Sequence, residues 1–140
     1  MSSAHLPERF ADVAALEDFM TRPSAALTAD LAGLPGDILV LGVAGKMGPS
    51  LARLAKRAAP DKRVVGVARF SDPAVRAALA ATGIETIFCD LLDRAAVAAL
   101  PRLANVVYMA GMKFGAAGDP AQTWAMNVLA PAPLPAPRRP

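Results

Sequence analysis

The chain holds one cysteine, one histidine, one tryptophan and one tyrosine in 140 residues. A single cysteine, Cys89, excludes an internal disulfide and a cysteine-cluster metal site, as expected of a protein in a reducing cytosol. His5 sits near the start, and no His/Cys/Asp cluster has the spacing of metal ligands, so neither catalysis by histidine nor a metal centre is expected. No apolar run approaches the ~20 residues needed to cross a membrane. Residues 1–9 lack a basic segment followed by an apolar one, so no secretory signal is read there and the expected location is cytoplasmic. Aromatic residues make up 5% of the chain and do not interleave with the basic ones, which argues against nucleic-acid binding.

What is present fits one domain with a real core: 54% of residues are hydrophobic and the net charge is only +3. Arg53, Lys56 and Arg57 share one predicted helix, where a solvated charged face is expected. Arg138 and Arg139 lie at the far end.

The apolar periodicity predicts an order of elements. Residues 8–20 read as a helix and 24–32 as a second short one, ending at Gly33 before a Pro35-Gly36 turn. This piece, 1–36, is expected to pack on the sheet as a helical extension. Strands are predicted at 37–42, 63–68, 84–89 and 105–109. Helices are predicted at 46–59, from Ser71-Asp72-Pro73 to Ala81, from Asp93 to before Pro101, and from Asp119-Pro120 to Leu129. Alternating apolar strands and helices indicate an α/β, Rossmann-like parallel sheet of order 3-2-1-4 over residues 37–130, with ligands at the carboxyl ends of the strands. The sheet is expected to be incomplete on its C-terminal side. Half of residues 131–140 are proline, a composition that cannot continue a helix or join a sheet and reads as a disordered tail.

The most informative stretch is Ile38 to Gly48, an apolar run that leads into Gly42, Gly45 and Gly48, spaced G-x-x-G-x-x-G. Glycine allows positive φ and leaves room for a ligand. A helix starting there offers free amides and the positive end of its dipole to a pyrophosphate. Lys46, inside the turn, and Met47 belong to the same candidate site. At the end of the second strand, where NAD sites carry an acid for the ribose hydroxyls, the sequence reads Ala68-Arg69-Phe70. Arg69 suits a 2′-phosphate, so NADP is expected ahead of NAD.

Three further segments complete a resemblance. Cys89-Asp90-Leu91-Leu92-Asp93 resembles a D-[LI]-x-D segment, Val107-Tyr108-Met109-Ala110-Gly111 resembles a cofactor-bordering fourth strand, and Trp124-Ala125-Met126-Asn127-Val128 resembles the helix that follows it. With the glycine motif, these resemble the extended short-chain dehydrogenase/reductase family, the NAD-dependent epimerase/dehydratase group, over about residues 37–130. The resemblance implies that Asp90 and Leu91 border the adenine and that Ala110 and Gly111 lie along the ribose and nicotinamide. From the residues alone, Asp90 serves equally as a helix cap, Ala110 and Gly111 serve equally to fit the backbone, and Asn127 reads as structural.

The resemblance also implies a Tyr-x-x-x-Lys dyad for acid–base chemistry, with the lysine lowering the tyrosine's pKa. The only tyrosine, Tyr108, is followed at the fourth position by Met112, and Lys113 is one residue too far. No catalytic residue is therefore assigned. The expected function is the NAD(P)-binding part of an epimerase, dehydratase or reductase of nucleotide-sugar-like substrates, incomplete for turnover. The alternatives are a redox-silent dinucleotide sensor whose open sheet edge is covered by a protein partner, and a nonfunctional product. A methyltransferase is a weaker rival. With 32 alanines and 11 arginines against 4 lysines, the composition suggests GC-rich coding DNA and a frameshift near residue 130. Gene sequence with no downstream frame encoding Tyr-x-x-x-Lys would defeat that expectation.

Overall fold

The computed structural model describes residues 6–112, 118–132 and 134. Four strands, β1 (Ile38–Leu41), β2 (Val64–Ala68), β3 (Glu85–Phe88) and β4 (Asn105–Tyr108), form one parallel sheet of order β3-β2-β1-β4. The helices are α1 (Val13–Met20), α2 (Ala25–Gly33), α3 (Gly48–Ala58), α4 (Pro73–Ala80), α5 (Arg94–Ala98) and α6 (Pro120–Trp124). The α/β class and strand order are those read from the sequence.

The central strands are apolar without alternation because both of their faces are covered. Every residue of β1 and β2 is buried, whereas the flanking β3 and β4 are partly exposed. Along β1 the side chains go alternately to two cores. Ile38 and Val40 join Val64, Ala52 of α3 and Leu79 of α4 on one face. Leu39 and Leu41 join Val65, Val67, Val97 of α5 and Leu100 on the other. Burying each such aliphatic side chain stabilises the fold by roughly 1.5–3 kcal/mol.

Side-chain caps start five of the six α-helices. Asp12, Ser24, Asp72, Asp93 and Asp119 each accept an amide of the first turn. α3 alone among them begins without one; Met47 stands at its cap position with no side-chain bond.

Two expectations about the N-terminal piece are corrected. It packs mainly on α3 rather than on the sheet, and among its described residues only Leu31 reaches the first core. The basic face of α3, expected only to be solvated, is also its docking surface, and the Arg57 pair there remains exposed. Arg53 pairs with Glu17 at 2.7 Å. One nitrogen of Arg57 donates to the Asp18 carbonyl, the Asp18 carboxylate and the Thr21 hydroxyl at 2.8–3.0 Å. These acceptors lie more than thirty residues upstream, so helix-face spacing could not reveal them.

The last helix begins at its Asp119 cap but changes pitch. Ala125–Leu129 is a π-helical turn, with the Ala130 amide bonded to the Ala125 carbonyl at 2.8 Å. Of the expected tail, residues 133 and 135–140 lie outside the described residues, as do His5 and Lys113. Leu134 is half-buried against the second core.

Candidate dinucleotide site

A cavity of about 340 Å³ opens at the carboxyl ends of the four strands. Gly42, Ala44 and Gly45 line it after β1; Arg69, Phe70, Ser71 and Asp72 follow β2; Asp90 and Leu91 follow β3; and Met109, Ala110, Gly111 and Met112 follow β4. Ala68 at the end of β2, Val75 of α4 and Met126 of the π turn complete the walls. The cavity thus sits where the chain crosses from one side of β1 to the other, the place a ligand occupies in an open α/β sheet.

The three glycines have different physical jobs. Gly42 turns the chain at φ 83°, and a Cβ there would lie 2.5 Å from the Ala110 amide nitrogen. Gly48 is buried, and a Cβ would collide with the Val43 carbonyl, so it sets how closely α3 approaches β1. Gly45 is exposed, and its Cβ would meet only the Gly42 oxygen, at 3.3 Å. Of the three, Gly45 alone is exposed and has no atom nearer than 3.3 Å to that position.

The turn is tied down by the Gly42 and Val43 amides, which both donate to the Val67 carbonyl, and by the Gly45 amide, which donates to Gly42. Among the described residues, the amides of Ala44, Lys46, Met47 and Gly48 meet no acceptor. Lys46 and Met47 are exposed beside the cavity and, like buried Gly48, are outside its lining. An uncapped helix start with unpaired amides is the donor set an anionic group needs.

Arg69 is exposed at the cavity. Asp90 does not cap α5, because Asp93 does so through the amides of Ala95 and Ala96. Asp90 instead closes an Asx turn, accepting the Leu92 amide at 3.0 Å. Leu91 is buried, with its side chain in the second core.

The far rim is held by two links. The Tyr108 hydroxyl donates to the Met126 carbonyl at 2.8 Å. The Asn127 side chain accepts the Met112 amide at 3.0 Å and donates to the Met112 carbonyl at 3.2 Å. Asn127 is thus structural, tying the β4 exit to the π turn. Burial raises the Tyr108 pKa, the opposite of what acid–base work near neutral pH requires. Burial also raises the Cys89 thiol, with the Asp93 and Asp90 carboxylates adding to it.

Sequence reasoning left Ala44, Ala68, Phe70, Ser71, Asp72, Val75, Met112 and Met126 out of the candidate site, and placed Met109 only within the cofactor-bordering segment 107–111. Asp72 was visible only as a helix cap, which it is: Oδ1 accepts the Ala74 amide at 2.9 Å. The methionines carry no pattern of their own; the fold alone brings residues 109 and 126 to one wall.

Comparison with protein-family models matches residues 38–135 to the NAD dependent epimerase/dehydratase family. The chain belongs to that family. The matched span covers all four strands and every residue that lines the cavity. Comparisons with curated proteins and with solved structures returned no match. Membership in the epimerase/dehydratase family implies an NAD(P) dinucleotide as cofactor. The unpaired amides and the exposed, side-chain-free Gly45 at the cavity fit its pyrophosphate. Among the described residues, no group of three or more His, Cys, Asp or Glu side chains is placed to hold a metal ion, and no helix is long and apolar enough to cross a membrane.

Proposed function

We propose that this chain is the NADP-binding part of an epimerase, dehydratase or reductase of the short-chain dehydrogenase/reductase kind, acting on a nucleotide-sugar-like substrate. The observation that carries the dinucleotide assignment is the uncapped start of α3, whose amides face no acceptor beside a cavity that Gly45 leaves open. When bound, the nicotinamide gives or accepts a hydride. The chain's own residues bind and orient. The turn from Gly42 to Gly48 receives the pyrophosphate, Asp90 and Leu91 border the adenine, and Ala110 and Gly111 leave the main chain bare along the ribose and nicotinamide.

Arg69 supports NADP over NAD, since a guanidinium matches a 2′-phosphate in a forked, charge-assisted geometry. Asp72 is the competing signal. Its second oxygen is free of the cap and would suit ribose hydroxyls in NAD. Titrating the full chain with NADPH and NADH separates the two. We expect NADPH to bind tighter, Arg69→Met to weaken NADPH roughly tenfold or more, and NADH binding to change little. Tighter NADH binding, abolished by Asp72→Ser, would reverse the assignment.

On this reading the chain by itself does not turn over, because its one tyrosine is committed to the Met126 carbonyl. The same commitment favours a second reading, a redox-silent dinucleotide sensor with a protein partner along the β4 edge. Dinucleotide affinity without hydride transfer to any nucleotide sugar, including after a Tyr-x-x-x-Lys-bearing segment is supplied, would favour the sensor.

A further inference from the structure

Phe70 is the one described residue other than glycine with positive φ, at 47°. Bulky side chains rarely adopt that conformation, so the surroundings must hold it. Two groups do. The ring is buried in the first core with Ala68, Leu79 and Ile84. The Arg76 guanidinium of α4 lies 5.6 Å from the ring centroid. Arg76 is itself anchored, donating from Nε to the Thr86 hydroxyl of β3 at 3.0 Å. A chain of contacts thus runs from β3 through α4 to the first residues beyond β2.

The consequence lies in the two neighbours. A left-handed residue reverses the local path of the main chain. With the Phe70 ring seated in the core, both Arg69 and Ser71 line the cavity. Both are exposed, and neither makes a side-chain bond among the described residues that would fix its direction. Their placement therefore depends on the backbone at Phe70. We propose that Phe70, clamped by Arg76, is the positioning residue that aims Arg69 and Ser71 at the adenosine ribose and so sets the preference between a 2′-phosphate and a 2′-hydroxyl. The inference rests on the dinucleotide reading above. It assigns the selectivity to a largely buried wall residue and to a guanidinium outside the cavity's lining.

The test compares NADPH and NADH affinities of the full-length chain by calorimetry for wild type, Phe70→Gly and Arg76→Met. Glycine removes both the ring and the conformational demand. Methionine at the exposed position 76 keeps the helix while deleting the clamp. Phe70→Gly is expected to lower the NADPH-to-NADH preference about tenfold and Arg76→Met about threefold, in both cases by weakening NADPH while NADH stays within about twofold. A merely structural role would weaken both ligands in parallel and leave their ratio unchanged, which overturns the proposal. Arg76→Met keeps this outcome readable if Phe70→Gly fails to fold. Wild type that binds neither dinucleotide overturns the underlying reading. Wild type that binds, with an unchanged ratio in Arg76→Met, overturns the proposal while leaving the dinucleotide reading in place.

Discussion

A methyl group on Gly42 would stand 2.5 Å from the backbone nitrogen of Ala110, so the β1 turn and the β4 exit touch main chain to main chain. Gly42 also holds φ 83°. Gly42→Ala is therefore expected to destabilise the fold by roughly 2–4 kcal/mol, from backbone strain and overpacking together. Gly45→Ala, with no such neighbour, should cost about 1 kcal/mol or less, while Gly45→Val should abolish dinucleotide binding without unfolding the chain. Denaturant titration beside calorimetry separates the two. Equal loss of stability in both alanine variants would reject this division of labour.

The rim links at Met112 and Met126 make a second prediction. Asn127→Ala deletes two solvent-exposed hydrogen bonds to the Met112 main chain, so stability should fall by about 1 kcal/mol or less. Tyr108→Phe deletes one bond and should cost about 1 kcal/mol. Hydrogen exchange should localise both losses to residues 105–112 and 120–130. A uniform change along the chain would contradict the local role.

Arg57 joins α3 to α1 through three acceptors. Arg57→Ala should free residues 13–33 to exchange and to proteolysis. Global stability should fall by only about 1 kcal/mol, because the pairs are exposed. Dinucleotide affinity should not change, since none of these side chains lines the cavity. Unaltered protease resistance in that segment would show that apolar packing alone holds it.

The titrating groups set the response to pH. Burial raises Cys89 and Tyr108 above their ordinary values, so the unfolded chain ionises first as pH rises. Their contribution is fully present below the ordinary thiol value of about 9 and is lost as pH climbs through the raised folded values. Denaturation midpoints should therefore decline in alkali, and Cys89→Ala should flatten the first part of the decline; an identical slope in that variant would reject the assignment. In acid the sign reverses. The Arg22 hydrogen bond lowers Asp18 and the Arg63 hydrogen bond lowers Glu85, so their contribution is present above the ordinary carboxyl range and lost as pH falls through the lowered values. Both pairs are exposed, so the effect is small. Arg63→Gln should return Glu85 toward its ordinary pKa, as followed by NMR titration of its carboxyl.

How much could be read before folding depended on how far each signal reached along the chain. β1 and β2 were legible because a strand covered on both faces must be an unbroken apolar run. The caps at Asp72, Asp93 and Asp119 were legible because a cap bonds amides two or three residues away. Asp90 was ambiguous because an Asx turn and a helix cap need the same side chain at nearly the same spacing. Arg53 and Arg57 misled because their partners are remote in sequence. Nothing in the string Arg69-Phe70-Ser71 shows that its middle residue is left-handed, since that conformation is imposed by a core and an arginine elsewhere.

The order of strands and helices, the glycine turn and the fold class followed from local chemistry: apolar period, caps, and the freedom of glycine. Which glycine packs and which one is exposed, where α1 docks, and which further side chains, such as Phe70, Val75 and Met126, ring the cavity were settled by packing alone. Steric exclusion and ion pairing act between atoms adjacent in space, and only the folded chain makes Gly42 and Ala110, or Phe70 and Arg76, neighbours.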